Sequence, residues 1–250
     1  MIDEVVEIAR KAGEKIMEIY EKDFEIEYKV DKSPLTEADH ASNRIICERL
    51  KKITPDIPIL SEESNAVDYD IRKQWKNVWI VDPLDGTKEF IKRNGEFTVN
   101  IALVEEDTPV MGVVHLPAKG ITYFADENGS YKKTGKKKAT MLSPRNAEKS
   151  CLRVVASRSH LNDQTKEFIE KKKRQYDGVE VVQAGSSLKI CLIAEGSADI
   201  YPRLAPTMEW DTAAAHAIVK YAGKNIYEYN KGEKLRYNKK KLTNPSFIVE

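Results

Sequence analysis

The stretch Val81-Asp82-Pro83-Leu84-Asp85-Gly86-Thr87 places two carboxylates directly after a buried run of chain. Residues Val78 to Val81 are apolar, which predicts a buried strand. Pro83 predicts that the chain turns immediately after Asp82, and Asp85, three residues on, could return to the same point. A carboxylate at the end of a strand is carried by a rigid element. We therefore expect Asp82 and Asp85 to serve one site.

Two further acidic motifs lie elsewhere in the chain, Ser61-Glu62-Glu63-Ser64 and Met208-Glu209-Trp210-Asp211-Thr212. Mg²⁺ prefers oxygen ligands in an octahedral array and keeps several of its waters, so a few carboxylates and a carbonyl suffice for each ion. If Asp82 bridges two ions, they would lie about 3.5–4 Å apart, as in two-metal phosphoryl transfer. Together the motifs predict a site for hard cations.

Each motif also has a simpler interpretation. Asp211 could cap the helix that follows it, Asp85-Gly86 could be a turn, and Glu62-Glu63 could be a solvated acidic pair. Taken singly, each of these interpretations is supported as well as the metal site is. All three would have to hold at once, which favours the metal site.

The step from Gly86 to Thr87 predicts a place for an anion. Gly86 permits a tight backbone, and Thr87 can begin a helix over Lys88 to Lys92. The free N–H groups at such a helix start would face an incoming phosphate. Metal and phosphate are therefore expected at one place.

The composition excludes several classes of protein. Of 250 residues, 41% are hydrophobic and 32% are charged, which is typical of a globular chain. Lys and Arg total 41 against 40 for Asp and Glu, and a net charge of +1 provides no general attraction for a nucleic-acid polymer. We therefore expect no nucleic-acid polymer as a partner.

Cysteine usage and hydropathy indicate a soluble protein of a reducing cytoplasm. The three cysteines, Cys47, Cys151 and Cys191, form neither a CxxC pair nor a zinc spacing. The first residues lack the pattern of a secretory signal, and no apolar run approaches the ~20 residues of a membrane span. Any membrane association would be peripheral.

Hydrophobic periodicity predicts two parts, residues 1–145 and 146–250. The first part is predicted to open with a helix over 2–20, a strand over 24–30, a turn over 31–34 and a helix from Thr36 to Leu50. An antiparallel sheet is expected over 78–81, 97–104, 110–115 and 120–124, followed by a hairpin within 127–139. The second part alternates strands over 152–156, 179–182 and 198–201 with helices over 164–174, 187–195 and 212–221, which indicates an α/β layer with some parallel pairing.

The motif DPLDGT over residues 82–87 resembles that of the lithium-sensitive, magnesium-dependent phosphatases, which include inositol monophosphatase and fructose-1,6-bisphosphatase. The continuation Lys88-Glu89-Phe90 and the stretch PTMEWDTAA over 206–214 are similar to the 3'(2'),5'-bisphosphate nucleotidases of the CysQ type. The resemblance extends from about Lys29 to Ala222. It implies an α/β fold of the layered α+β kind, an α/β/α/β/α sandwich.

The resemblance also implies a set of metal ligands. Glu62, Asp82 and the carbonyl of Leu84 would bind a first Mg²⁺, and Asp82, Asp85 and Asp211 would bind a second. A third, weaker ion is implied near Glu62, and Mn²⁺ is a possible substitute. Inhibition by lithium is expected for the same reason.

Roles in catalysis follow from the same likeness. Asp39 and Thr87 would orient the attacking water with help from Glu62, and Glu63 has a weaker claim as a supporting partner. The water would attack phosphorus in line, with no covalent enzyme intermediate. His216 and Cys191 are more simply interpreted as buried packing residues.

The implied reaction removes the 3'-phosphate of adenosine 3',5'-bisphosphate, and its sulfated precursor is a second possible substrate. The expected substrate contacts are Gly86, Thr87, His160, Ser186, Ser187, Lys189, Arg203 and Asp211. Simpler interpretations remain open: Ser187 could cap a helix, Arg203 could pair with a nearby carboxylate, and His160 could be a surface residue.

Two alternatives remain for the function. One is hydrolysis of an inositol or sugar monophosphate by the same metal site. The other is a non-catalytic nucleotide or metal sensor on this fold, which the presence of every expected carboxylate disfavours. The sequence leaves the choice between monomer and homodimer open.

Overall fold

The computed structural model describes residues 1–22, 26–28, 34–65, 67–144, 148, 150–157 and 162–250. Among these residues, no helix combines the length and apolar character that crossing a membrane requires. The predicted turn over 31–34 falls outside the described residues except for Pro34, which begins a strand.

Apart from the short α3, which the sequence did not predict, the helices agree with the predicted ones to within a few residues. They are α1 (Ile2–Tyr20), α2 (Glu37–Ile53), α3 (Tyr69–Arg72), α4 (Thr87–Ile91), α5 (Asp163–Lys173), α6 (Leu188–Ala194) and α7 (Ala213–Tyr221). Gly86 precedes α4 with a φ of 90°, in the left-handed region that glycine adopts without strain.

The strands include several that the sequence did not predict, among them β3 and the short C-terminal strands. They are β1 (Ile26–Tyr28), β2 (Pro34–Thr36), β3 (Ile59–Ser61), β4 (Asn77–Asp85), β5 (Thr98–Glu105), β6 (Thr108–Leu116), β7 (Ile121–Asp126), β8 (Gly129–Thr134), β9 (Thr140–Met141), β10 (Leu152–Ser157), β11 (Val179–Ala184), β12 (Tyr201–Arg203), β13 (Thr207–Met208), β14 (Ile226–Glu228), β15 (Thr243–Asn244) and β16 (Phe247–Val249). The strand predicted over 198–201 is wrong in position, because β12 begins at Tyr201.

A seven-stranded sheet in the order β3 to β9 spans residues 59 to 141. All neighbours pair antiparallel except β3 and β4, which run parallel. Successive side chains of a strand point to opposite faces, so β4 contributes to two cores. Trp79 and Val81 pack with α1 and α2, whereas Val78 and Ile80 pack with α6 and α7.

The same alternation in β10 completes the layers. Val155 joins the cluster that contains α6 and α7, whereas Val154 packs with Phe168 and Ile169 of α5. β10 pairs with β11 in parallel, as predicted from the alternating strands and helices after residue 152. Helices and sheets therefore alternate in five layers, and the expected α/β/α/β/α arrangement is confirmed.

Helix α7 lies very close to the large sheet. A Cβ atom at Gly112 of β6 would lie 2.2 Å from the carbonyl oxygen of Ala214, so only glycine permits this approach. The close packing fixes the start of α7 relative to β4 and β5. It thereby fixes the position of Asp211, which directly precedes that helix.

Candidate active site

Glu62 and Asp82 emerge side by side at one edge of the large sheet. In the parallel ladder of β3 and β4, Ser61 pairs with Val81. The Glu62 N–H donates a hydrogen bond of 3.1 Å to the Val81 carbonyl. Parallel pairing therefore brings the Glu62 carboxylate to the strand that carries Asp82.

A β-bulge replaces the turn that the sequence predicted after Asp82. Strand β4 continues to Asp85, with a shift of register against β5 between Asp82 and Asp85. Pro83 lacks an N–H group and is tolerated at such a bulge. The Leu84 N–H donates to Asp82 Oδ1 at 3.1 Å, and the Ser42 hydroxyl donates to the Pro83 carbonyl at 2.7 Å. Both carboxylates are thus fixed by one strand.

Asp211 reaches this edge from the turn between β13 and α7. Its Oδ2 accepts a hydrogen bond of 2.8 Å from the Met208 N–H. Thr212 occupies the N-cap position of α7. The simpler interpretation of Asp211 as a helix cap is therefore wrong.

The three carboxylates form a compact group. One oxygen each of Glu62, Asp82 and Asp211 lies within 4.8 Å of the others. Burial, and then repulsion from neighbouring carboxylates, raises the pKa of Asp82 well above its usual range. Burial and the charge of Asp85 raise the pKa of Asp211 to about 8. Oxygen ligands that repel one another and are buried or half-buried suit a hard divalent cation such as Mg²⁺, whose charge would offset theirs.

Asp85 lies beside this group and accepts a hydrogen bond from the start of α6. Its Oδ2 accepts hydrogen bonds from the Ser187 N–H, from Thr98 at 3.4 Å and from Asn100 at 3.5 Å. Within the described part of the chain, Asp85 Oδ1 has no hydrogen bond. The Ser187 hydroxyl donates inward to Asn100 Oδ1 at 2.8 Å. The buried network therefore fixes Asp85 and leaves one of its oxygens available.

Asp39 and Thr87 meet next to the carboxylate group. Asp39 Oδ2 accepts hydrogen bonds from the Thr36 N–H and hydroxyl, both at 2.7 Å, as part of the capping box that begins α2. The Thr87 hydroxyl lies 3.4 Å from Asp39 Oδ1 and 3.4 Å from the Leu84 carbonyl. The helix cap thus also orients the Asp39 carboxylate toward Thr87.

A pocket opens beside Asp85 and Asp211. Besides these two, it is lined by five of the residues that the resemblance implied as substrate contacts: Gly86, Ser186, Ser187, Lys189 and Arg203. Thr87 adjoins this pocket through Gly86 but does not line it.

Two cationic side chains line the pocket. The buried Lys189 ammonium donates to the Ser186 carbonyl at 2.6 Å, and burial lowers its pKa to about 8. Arg203 donates to the Pro206 carbonyl at 3.2 Å, whereas its buried Nε has no hydrogen-bond partner among the described residues. An unpartnered guanidinium N–H is a donor that an anionic ligand can use.

With this geometry, comparison with known proteins identifies the family. A model described as the inositol monophosphatase family matches residues 1–249. The chain belongs to the inositol monophosphatase family. Among curated relatives, the 3'(2'),5'-bisphosphate nucleotidase CysQ of Salmonella typhimurium is 45% identical over 100% of this chain and 99% of that protein. The protein of the same name from Escherichia coli K12 is 43% identical over the same shares.

Solved structures of the inositol monophosphatase family have the same fold. CysQ from Bacteroides thetaiotaomicron is 48% identical, with a TM-score of 0.89 over 100% of this chain and 96% of that chain. The IMPase of Thermotoga maritima is 25% identical, with a TM-score of 0.76 over 98% of this chain and 89% of that chain. The likeness stated from the sequence motifs is confirmed.

The remaining expected site residues have different outcomes. His160 lies outside the described residues, so its contact remains a prediction. The Glu63 N–H donates to the Ser61 hydroxyl at 3.4 Å, on the strand side of the site. His216 and Cys191 are buried, which confirms their interpretation as packing residues.

Several residues of the site were not singled out from the sequence. Glu89, Tyr201 and Phe247 also line the pocket. Glu209 is fully buried and accepts hydrogen bonds from the main chain of 238–239 and from the Lys239 ammonium, which holds the turn that leads to Asp211. The sequence signal that could have indicated Glu209 is its place between two apolar residues, Met208 and Trp210, in the motif that carries Asp211.

Proposed function

We propose that this chain is a magnesium-dependent 3'(2'),5'-bisphosphate nucleotidase that hydrolyses the 3'-phosphate of adenosine 3',5'-bisphosphate. The observation that carries the proposal is the compact group of Glu62, Asp82 and Asp211 beside a pocket that holds Lys189 and Arg203. The first suits a divalent cation, and the second suits an anionic substrate. The full-length identity of 43–45% to CysQ nucleotidases supports the choice of substrate.

The proposed metal ligands are the carboxylates of Glu62, Asp82, Asp85 and Asp211 with the carbonyl of Leu84. Two or three Mg²⁺ ions, with Mn²⁺ as a possible substitute, are proposed. Such ions lower the pKa of water and offset the charge of a phosphate monoester. Burial and repulsion from neighbouring carboxylates raise the pKa values of Asp82 and Asp211, and bound cations would offset both effects.

Asp39 and Thr87 are proposed to orient the attacking water. The Asp39 carboxylate and the Leu84 carbonyl both lie within reach of the Thr87 hydroxyl hydrogen, so the threonine oxygen keeps a lone pair for a water proton. Glu62 is proposed to assist in removing that proton. Glu63 remains a weaker candidate for support.

Substrate binding is proposed to use both sides of the pocket. The N–H groups of Gly86 and Thr87 would bind the phosphate that is cleaved, with Asp211 next to its ester oxygen. Lys189 and Arg203 would bind the second phosphate, and Ser186, Ser187 and His160 complete the proposed contacts. The inward direction of the Ser187 hydroxyl supports a part for Ser187 in positioning Asp85.

The reaction consumes one water. Its oxygen forms a bond to phosphorus while the bond from phosphorus to the ribose 3'-oxygen breaks. The leaving oxygen takes up a proton, and the products are AMP and inorganic phosphate. We further propose a cytoplasmic location, which the absence of disulfides among the three free cysteines supports.

Phosphate release tests the proposal directly. The purified chain with Mg²⁺ is given adenosine 3',5'-bisphosphate, inositol 1-phosphate or fructose 1,6-bisphosphate at equal concentrations. We expect the nucleotide to lead by about 100-fold in kcat/KM, which equals about 2.7 kcal/mol of transition-state discrimination. Equal rates with an inositol or sugar phosphate would overturn the substrate but keep the metal site, and no hydrolysis of any ester would favour a sensor.

A further inference from the structure

Glu89 is a carboxylate in the pocket that none of the proposed steps uses. It lies on α4 and lines the pocket together with Asp85, Lys189 and Arg203. Among the residues that the structure describes, its carboxylate has neither a hydrogen bond nor an ion pair, although Lys189 and Arg203 line the same pocket.

The position of Glu89 is closely defined by two glycines. A Cβ atom at Gly86 would lie 3.3 Å from Glu89 Oε2, and a Cβ atom at Gly185 would lie 2.9 Å from Glu89 Cγ. The Glu89 side chain therefore lies between the Gly86 backbone, where the cleaved phosphate is proposed to bind, and the turn that begins α6. With the cleaved phosphate at Gly86, the ester would therefore lie next to the Glu89 carboxylate.

The chemistry of a carboxylate restricts what can bind there. An ionised carboxylate only accepts hydrogen bonds, and so does a phosphate dianion. The two groups repel each other, so Glu89 is not a contact for phosphate. In the open pocket, water can satisfy the half-buried carboxylate. A ligand that displaces this water without offering a donor leaves the carboxylate unsatisfied, which is costly.

We infer that Glu89 is a specificity-determining residue whose carboxylate accepts a hydrogen bond from a hydroxyl group on the carbon next to the phosphate ester. In a nucleoside 3'-phosphate this group is the ribose 2'-hydroxyl. The inference rests on the proposed function and adds a feature of the substrate that the pocket selects. It gives a structural reason for an acidic residue in a pocket that binds anions.

The test compares adenosine 3',5'-bisphosphate with its 2'-deoxy analogue, which lacks only the proposed donor. The unaltered chain is expected to prefer the ribose substrate by about 10- to 100-fold in kcat/KM, the value of one hydrogen bond to a charged group. In Glu89→Ala this ratio is expected to fall to within about threefold of unity, because the ribose substrate loses its hydrogen bond and the 2'-deoxy analogue no longer leaves a carboxylate unsatisfied. Glu48→Ala, an exposed glutamate on α2, is the matched control and should keep the original ratio.

Different outcomes separate the inference from the function on which it rests. An unchanged ratio in Glu89→Ala, with both nucleotides hydrolysed, overturns the inference and leaves the nucleotidase intact. An equal loss on both nucleotides, accompanied by a higher Mg²⁺ requirement, also overturns it, because Glu89 would then act on the cation. If the unaltered chain hydrolyses neither nucleotide, the proposed function fails and the inference fails with it. Thermal melting of each variant checks that the fold is retained.

Discussion

The carboxylate side of the site and the pocket side are built in different ways. Glu62 and Asp82 are carried by neighbouring parallel strands of a seven-stranded sheet, so backbone pairing sets their separation. The pocket side comes from short segments, including Ser186 with a φ of 44° and the three-residue strand that ends at Arg203. Rigid elements hold a site more accurately than loops do. The first side therefore suits chemistry common to all substrates, and the second suits recognition of one substrate.

This comparison predicts two classes of variant. A change on the carboxylate side should reduce hydrolysis of every phosphate ester alike. A change on the pocket side should reduce hydrolysis of one ester and spare the others. The comparison would fail if a carboxylate-side variant lost activity on one ester alone, or if a pocket-side variant lost activity on every ester alike.

The largest effect is expected for Asp82→Asn. The change removes the charge at the centre of the carboxylate group while an oxygen remains to accept the Leu84 N–H bond. We expect kcat/KM to fall by about 1000-fold or more for all esters, about 4 kcal/mol of transition-state stabilisation. Phosphate-release kinetics with several substrates measure the loss.

The fold should survive this change. Asn at position 82 relieves repulsion among buried carboxylates, so the melting temperature without Mg²⁺ should not fall. Asp56→Asn, an exposed aspartate, is the control and should retain full activity. Near-normal rates in Asp82→Asn would rule out the proposed metal ligands.

Thr87→Val should have the next largest effect. Valine keeps the shape of the side chain but removes the hydroxyl that lies 3.4 Å from Asp39 Oδ1. Loss of an oriented water should lower kcat by about 100-fold with little change in KM, whichever ester is used. Steady-state kinetics separate the two constants. Thr108→Val, at an exposed strand position, should leave both constants unchanged, and a loss in KM alone would assign Thr87 to binding.

The stability of the fold depends on pH through two buried histidines. His115 on β6 and His216 on α7 are buried, and burial lowers the pKa of each to about 4. An unfolded histidine titrates near 6.5, so the unfolded chain binds protons first as the pH falls. The two neutral rings therefore make their full contribution to the free energy of unfolding above pH 6.5. This contribution is lost as the pH falls toward 4. At pH 5 the loss is about 2 kcal/mol per histidine relative to pH 7.

Urea denaturation at pH 7 and pH 5 measures this loss. His216→Gln should be less stable at pH 7 but should lose about 2 kcal/mol less between the two pH values than the unaltered chain. The exposed His40→Gln is the control and should lose as much as the unaltered chain. If His216→Gln keeps the full loss, the ring of His216 is not the group that titrates.

The carboxylate side of the site was easier to predict from the sequence than the pocket side. Asp82, Asp85 and Gly86 lie in one contiguous motif, and their residue types alone indicate a cation site. The longer helices could be predicted because their apolar positions repeat over many residues. The short strand β3 was missed because three residues carry no usable periodicity.

The pocket side was harder to predict because it depends on distant partners. The Ser187 hydroxyl points inward because Asn100, far away in sequence, accepts its hydrogen bond. The bulge after Asp82 depends on the Ser42 hydroxyl bound to the Pro83 carbonyl, which no local pattern indicates. Glu89 becomes informative only when the structure shows that its carboxylate has no partner among the described residues. Such features arise from packing and not from local sequence.

Arg203→Gln should have the smallest and most selective effect. Glutamine removes the positive charge and the buried Nε–H that lacks a partner in the described chain. If this group binds the second phosphate, kcat/KM for adenosine 3',5'-bisphosphate should fall about tenfold, a loss of about 1.4 kcal/mol. Adenosine 3'-monophosphate, which lacks that phosphate, should be hydrolysed at an unchanged rate. Kinetics with the two nucleotides give the ratio directly.

The ratio of kcat/KM for the two nucleotides decides whether Arg203 serves substrate recognition or the chemistry common to all esters. Arg44→Gln, an exposed arginine on α2, removes the same charge away from the pocket and should leave both rates unchanged. A tenfold loss confined to the bisphosphate would assign recognition of the second phosphate to the pocket side. An equal loss on both nucleotides would mean that Arg203 supports the common chemistry, because Arg203 also donates to the Pro206 carbonyl in the segment leading to Asp211. In that case the two sides are mechanically coupled through residues 203–211, and selectivity must come from elsewhere in the pocket.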